Sequence, residues 1–410
     1  MALIQRVRAG VGDLPLAVAV LALSLFGVAM VYSAGQLDVP STRVEGLWKM
    51  QLGWLGLSVG ALLIASRVPV RWLEWIAVPA YAAGLLMLAA ALAIGQGKGT
   101  ERWIMLGPIM VQPSQFANLA TILMLGRVMG NWREPPRSLW KLVPPVVVVA
   151  VPMMMVMLQP DLGTAMVFTA VLLATLYWGG APVGLIFMLF SPALGLLLSF
   201  QTWLYTLYMA GLIAFLYFYR AYLWESVLVL GANLAAGTIA VPMWNKLQPY
   251  QKARLTVFLD PTADPRGAGW HVLQSRVAIG SGGLFGKGFT QGTQKRLAFL
   301  PEQHTDFINS VIGEEFGFVG TVGVLLGFGF ILWRLARIAE KSPDPFAGIV
   351  VFGIFGAWFA HVIVNVGMTA GVMPITGIPL PFLSYGGSFL LATYVALGMA
   401  QRIAAEHGKV

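Results

Sequence analysis

Of 410 residues, 58% are hydrophobic and only 10% are charged, against about a quarter charged in ordinary soluble domains. That composition excludes a water-soluble globule, which would have too little polar surface to wet. The net charge of +9 does not indicate nucleic acid, because the basic residues fall between apolar runs instead of along one stripe. Such a distribution suits membrane anchoring and anionic lipid headgroups. The absence of cysteine excludes disulfides and thiolate metal sites.

The apolar runs predict an all-α, polytopic integral membrane bundle, with residues 1–410 forming one membrane domain. A spanning helix takes about 20 mostly apolar residues, and an open strand would leave backbone groups unpaired in hydrocarbon. Twelve spans are expected in chain order: 14–33, 50–66, 72–94, 112–130, 142–158, 162–179, 183–200, 203–219, 225–244, 312–335, 348–372 and 381–403. The first follows Arg6 and Arg8 and is too long for the apolar part of a cleaved signal peptide. With the N-terminus inside, Arg67, Arg71, Arg127, Arg133, Arg137, Lys141, Arg220, Arg334, Arg337, Lys341, Arg402 and Lys409 face the cytoplasm. Only Arg43, Lys49, Lys98 and Arg102 occupy the short loops opposite. This positive-inside bias predicts cytoplasmic termini.

Between the ninth and tenth spans, residues 246–311 form one long extracytoplasmic loop. Structureless loops beyond about 12–15 residues are uncommon and usually functional. The loop and the residues just after it hold Asp260, Asp264, Glu302, Asp306, Glu314 and Glu315, six of the 17 acidic residues. Lys287, Lys295, Arg296 and eight glycines between 267 and 292 lie there too. Its apolar residues Leu273, Val277, Ile279, Leu284 and Phe285 predict short amphipathic pieces at the interface.

Four constellations stand out. Leu300-Pro301-Glu302-Gln303-His304-Thr305-Asp306-Phe307 runs into Ser310, Gly313, Gly317 and Gly320. A helix starting near Thr305 would put Asp306 and these small residues on one face, where a neighbour can pack closely and hold Asp306 at the membrane boundary. Thr305 as a plain cap, with Asp306 favoured by the helix dipole, reads the same residues differently. Gly280-Ser281-Gly282-Gly283-Leu284-Phe285-Gly286-Lys287-Gly288 has the composition of a phosphate cradle without P-loop spacing, and turn-forming segments also account for it. Glu101-Arg102-Trp103 precedes Gln112-Pro113-Ser114-Gln115-Phe116-Ala117-Asn118, which sets Gln115 and Asn118 on one face inside the membrane. Such groups usually face a cavity or one another, and Trp103 also suits an interfacial anchor. Finally, Gln159-Pro160-Asp161, Asn365 and the stretch from Gly377 to Ser388 read as broken backbone lining a cavity.

Taken in order, from Val31-Tyr32-Ser33 to Ser384-Tyr385-Gly386-Gly387-Ser388, these segments resemble the SEDS family of RodA and FtsW glycosyltransferases over nearly the whole chain. The glycine run followed by Gly292-Thr293-Gln294 resembles the RodA branch. The resemblance implies polymerisation of lipid II into undecaprenyl-linked glycan strands at the outer face of the bacterial cytoplasmic (inner) membrane, beside a class B penicillin-binding protein. It carries the essential acid to Asp306 and further motif positions to Trp103, Gln112 and Ser114. It also implies about ten spans, so the twelve expected here require an extra hairpin near 183–219. Where the family has glutamate and lysine, this chain has Gln115 and Asn118, amides able to hydrogen-bond across that spacing. Asn309 replaces a common phenylalanine and has no explanation in the sequence.

The expected chemistry is inverting glycosyl transfer, in which a sugar hydroxyl attacks an anomeric carbon and lipid pyrophosphate leaves. Asp306 is the candidate general base. Arg102, Lys287, Lys295, Arg296 or a divalent cation (Mg or Mn) would offset the departing charge. Trp103, Gln112, Ser114, Gln115, Asn118, Glu302 and His304 complete the candidate substrate-binding set. A flippase or transporter for the same lipid predicts functional charges inside the spans, which are nearly free of them. A non-catalytic scaffold docking a partner's single span is the third reading.

Overall fold

Every expected span coincides with a helix, because backbone N–H and C=O groups in hydrocarbon can be satisfied only within the segment. The computed structural model describes residues 12–38, 44–95, 102–107, 109–247, 252, 256–258, 260, 268–300 and 302–407. Arg6, Arg8, Arg43, Lys98, Glu101, Asp264 and Lys409, invoked above, lie outside the described residues. The helices are α1 (Leu14–Ala34), α2 (Leu47–Ala65), α3 (Val70–Ile94), α4 (Pro113–Gly130), α5 (Val143–Leu158), α6 (Leu162–Trp178), α7 (Val183–Leu198), α8 (Thr202–Tyr219) and α9 (Leu223–Lys246). After them come α10 (Ala268–Ser281), α11 (Thr293–Arg296), α12 (Ile308–Lys341), α13 (Pro345–Ala370) and α14 (Gly387–His407). Among the described residues, nine helical segments are long and apolar enough to cross a membrane, and α6 and α7 are shorter apolar helices. Helix α10 carries Leu273, Val277 and Ile279 of the short pieces expected in the long loop, and α11 adds one turn. A small antiparallel hairpin, not anticipated, pairs β1 (Ile104–Leu106) with β2 (Ile109–Val111), Ile104 opposite Val111.

Helix α13 is the axis of the bundle: 78% of its most apolar window is buried, against 11% for α8. It packs against α4, α6 and α12, while α14 lies on α2 and α3 on α4. Polar ties set the ends. Asp13 caps α1 by accepting from Leu16 N at 2.9 Å, pairs with Arg334 of α12, and exchanges hydrogen bonds through its backbone with Gln401 of α14. Three helices are thereby locked together at one end of the bundle.

The α7–α8 hairpin is held to α9 by one buried amide. Asn233 Nδ2 donates to Ser191 Oγ at 2.9 Å and to Val229 O at 2.9 Å, and its Oδ1 accepts from Tyr208 OH at 3.0 Å. In apolar surroundings a polar group is best satisfied in a single arrangement, so this cluster fixes the register of the hairpin. Gly195 makes room for it, since a Cβ there would stand 2.5 Å from Asn233 Oδ1.

Helix α12 departs from expectation in two ways. It starts at Ile308 instead of near Thr305, which leaves Asp306 in the preceding turn, and Phe307 caps it without a side-chain bond. It is also broken at Gly317 (φ 66°, ψ −158°), a conformation open essentially to glycine alone. The single small-residue face from Asp306 through Gly320 is therefore not formed. The break frees backbone groups that the glycine-rich loop satisfies. Lys287 N and Gly288 N donate to Glu314 O and Glu315 O, both at 3.0 Å. Phe318 N and Val319 N donate to Gly283 O at 2.9 Å and Leu284 O at 3.0 Å. A Cβ on Gly282 or Gly286 would run into the carbonyls of Gly313 and Glu315. These glycines serve a splice between loop and broken helix, which accounts for them without a phosphate.

Candidate active site

The turn carrying Asp306 (residues 302–307) abuts the non-helical strap between α13 and α14, residues 371–386. Tyr385 N donates to His304 O at 2.8 Å, Ser384 Oγ to Thr305 O at 2.6 Å, and Asn365 Nδ2 to Asp306 O at 2.9 Å. Asp306 is itself half-buried, and Gly377 lets the strap backbone come close to its carboxylate, since a Cβ there would stand 3.1 Å from Oδ2. The strap is anchored in turn: Gln51 Nε2 donates to Ser384 O at 3.2 Å, and His361 Nδ1 lies 2.9 Å from Pro379 O. Proline-rich backbone can cross this zone because helix side chains satisfy its carbonyls.

Glu302 and His304 flank the acid. The His304 Nε2 lies 3.9 Å from Glu302 Oε2, and its ring approaches Tyr385. Burial lowers the imidazole below its usual range, with the Glu302 charge opposing.

A second polar group joins the residue after β2 to the first turn of α14 and the start of α6. Gln112 N donates to Ser388 Oγ at 3.3 Å, and Gln112 Nε2 to Asp161 Oδ2 at 3.4 Å. Asp161 caps α6 by accepting from Thr164 N at 3.1 Å and faces Arg102 at 3.7 Å. Arg102 also donates to Gln159 O and Pro160 O. Its guanidinium thus closes the end of α5, while half-buried Trp103 leads into β1. Ser114 is buried, and its Oγ has no hydrogen-bond partner among the described residues.

Gln115 and Asn118 do not bond to each other as expected. Gln115 Nε2 instead reaches back one turn to Gln112 Oε1 at 3.3 Å. Both amides line a cavity of ≈ 30 Å³ together with His361 and Thr393. Asn118 Nδ2 has no hydrogen-bond partner among the described residues.

The loop cations expected around a pyrophosphate are each engaged by protein groups. Lys295 and Glu315 are both fully buried, 2.5 Å apart, and Ser33 Oγ donates to both carboxylate oxygens of Glu315 at 2.6 and 2.7 Å. Lys295 also donates to Ser33 O at 2.7 Å. Burial lowers the Lys295 pKa, with Glu315 opposing. Lys287 pairs with Glu314 at 2.8 Å and donates to Thr293 Oγ1 at 2.7 Å. Arg296 pairs with Asp38 at 2.6 Å and is 43% exposed. Lys287 and Lys295 thus tie the loop to the two glutamates beside the helix break. Arg296 alone of the three stands substantially open. Among the described residues there is no cluster of three or more acids and histidines placed to hold a metal ion.

Asn309 now has an account. Its Nδ2 donates to Thr369 Oγ1 at 2.9 Å, and Thr369 O accepts from Ser275 Oγ at 2.6 Å. A polar pair thus ties the start of α12 to α13 where an aromatic ring would otherwise pack. Asn365, Ser384, Gly377 and Asp161 were not among the expected site residues. Their signal was present as an amide inside a span and as strap motifs, but their partners lie far away in sequence.

Fold and site together define a polytopic helical membrane protein with an acid held at the mouth of a buried polar strap. The chain belongs to the FtsW, RodA and SpoVE family of cell cycle proteins, whose family model matches residues 14–219 and 205–409. The two matches overlap within the expected extra hairpin. Similar relatives include the peptidoglycan glycosyltransferase MrdB of Escherichia coli K12, 32% identical over 93% of this chain and 90% of that protein. The peptidoglycan glycosyltransferase RodA of Treponema pallidum is 34% identical over 98% of this chain and all of its own length. Among solved structures, one of a peptidoglycan synthase complex that coordinates polymerization and crosslinking aligns with a TM-score of 0.71 at 28% identity, covering 97% of this chain and 99% of that one. The rod shape determining protein RodA of Thermus thermophilus aligns with a TM-score of 0.63 at 26% identity, covering 97% and 98%.

Proposed function

We infer that the chain is a peptidoglycan glycosyltransferase that polymerises lipid II into glycan strands at the outer face of the bacterial cytoplasmic membrane. The observation that carries this reading is the Asp306 turn held by Ser384 at the end of the strap, just before Ser388 of α14, which bonds Gln112, in a chain whose relatives bear that enzyme name. A sugar hydroxyl needs a proton acceptor as its bond to the anomeric carbon forms, and Asp306, half-buried in the turn that the strap holds, is the acid to serve. The reaction inverts the anomeric carbon and releases lipid pyrophosphate. Arg296 is the most accessible of the loop cations expected for that charge, and a bound divalent cation is the other source. A cross-linking penicillin-binding protein of class B is the expected partner, in keeping with the synthase complex that this chain resembles. In this reading the chain crosses the membrane twelve times with both termini cytoplasmic, which puts residues 246–311 outside.

The full chain in lipid vesicles, given labelled lipid II, tests this reading. Glycan polymer is the expected product. Translocation without polymer would establish a flippase instead, and neither outcome would leave a scaffold.

A further inference from the structure

The direction of an acid is set by its backbone, and the backbone of Asp306 is gripped from the far side of the sequence. Three successive carbonyls, of His304, Thr305 and Asp306, each accept a hydrogen bond from the strap or from α13. Among these donors Asn365 is distinctive. It is fully buried, and the same Nδ2 that donates to Asp306 O at 2.9 Å also donates to Ile378 O at 2.8 Å. One amide group therefore joins the turn that carries the acid to the segment whose Gly377 faces the carboxylate. The reverse amide orientation would set Oδ1 against two carbonyl oxygens, so the network fixes it.

We propose that Asn365 is a positioning residue for glycosyl transfer, with Ser384 as the second hold on the same turn. The proposal rests on Asp306 being the base. Removing the Asn365 amide leaves two carbonyls without their donor and loosens the acid and its floor together. A base must lie within hydrogen-bond reach of the proton it takes, and a misplacement of about 1 Å costs about a hundredfold in rate. Because Asn365 is sealed from solvent, its loss should leave substrate binding alone.

The experiment uses the full chain in vesicles with labelled lipid II. Asn365→Leu, similar in shape but without donors, should lower kcat by about ten- to a hundredfold and leave KM within about twofold. Thr369→Val is the control. Thr369 bonds Asn365 O and Asn309 Nδ2 but neither Asp306 nor Ile378, so it should lower the melting temperature and spare kcat. Ser384→Ala should lower kcat in the same manner, and Ser384→Thr, which keeps the hydroxyl, should restore it. That pair decides the matter should Asn365→Leu not fold. Wild-type kcat in Asn365→Leu, or a loss that Thr369→Val reproduces in proportion to its melting temperature, overturns the positioning role. An inactive Asp306→Asn beside a fully active Asn365→Leu overturns that role alone, whereas polymer made by Asp306→Asn removes the base assignment beneath it.

Discussion

Charge at single residues divides into two populations. Asp306 stands half-buried with glycine beside its carboxylate, whereas Lys295 and Glu315 are sealed together. Taking both members of such a pair out of water is costly, and the pair survives by mutual attraction and by the Ser33 hydroxyl. The consequence is asymmetric. Lys295→Met alone leaves an uncompensated buried carboxylate and should destabilise the protein by about 3–5 kcal/mol. Adding Glu315→Leu to that variant should recover much of the loss, as read by chemical denaturation in detergent. Additive losses in this double-mutant cycle would show that the two side chains do not act as a pair. Lys287, partly exposed and bound to Glu314 and Thr293, is a weaker version of the same clasp.

The helices were legible from composition because hydrocarbon permits so few backbone solutions; all twelve expected runs are helical, with ends shifted by a few residues. The break in α12 was not legible. Gly313, Gly317 and Gly320 read as a packing stripe, and only the splice with Gly283, Leu284, Lys287 and Gly288 reveals that Gly317 interrupts the helix. The site was half legible. Asp306 and the strap motifs could be named, but their junction joins residues 59 and 79 positions apart, which periodicity cannot see. Helix α4 offers a test at this scale. Gln115 and Asn118 line an interior cavity, so Gln115→Glu or Asn118→Lys alone buries an unpaired charge. Each single change should lower the melting temperature more than the two together, which can pair. Equal losses from the singles and the double would mean that the two positions are not coupled.

Across the whole molecule, burial increases toward α13, and the peripheral α7–α8 hairpin is tied to α9 by the Asn233 cluster. The family model matches in two pieces that overlap at residues 205–219, within that hairpin. The catalytic proposal needs none of the hairpin. It needs the central helix to present Asn365, the strap to hold the Asp306 turn, and one carboxylate to accept a proton. The direct measurement is polymer formation from labelled lipid II by the full chain and by Asp306→Asn, at matched expression and matched melting temperature. The account predicts glycan strands from the first and none from the second. Strands of ordinary length and yield from Asp306→Asn would contradict it.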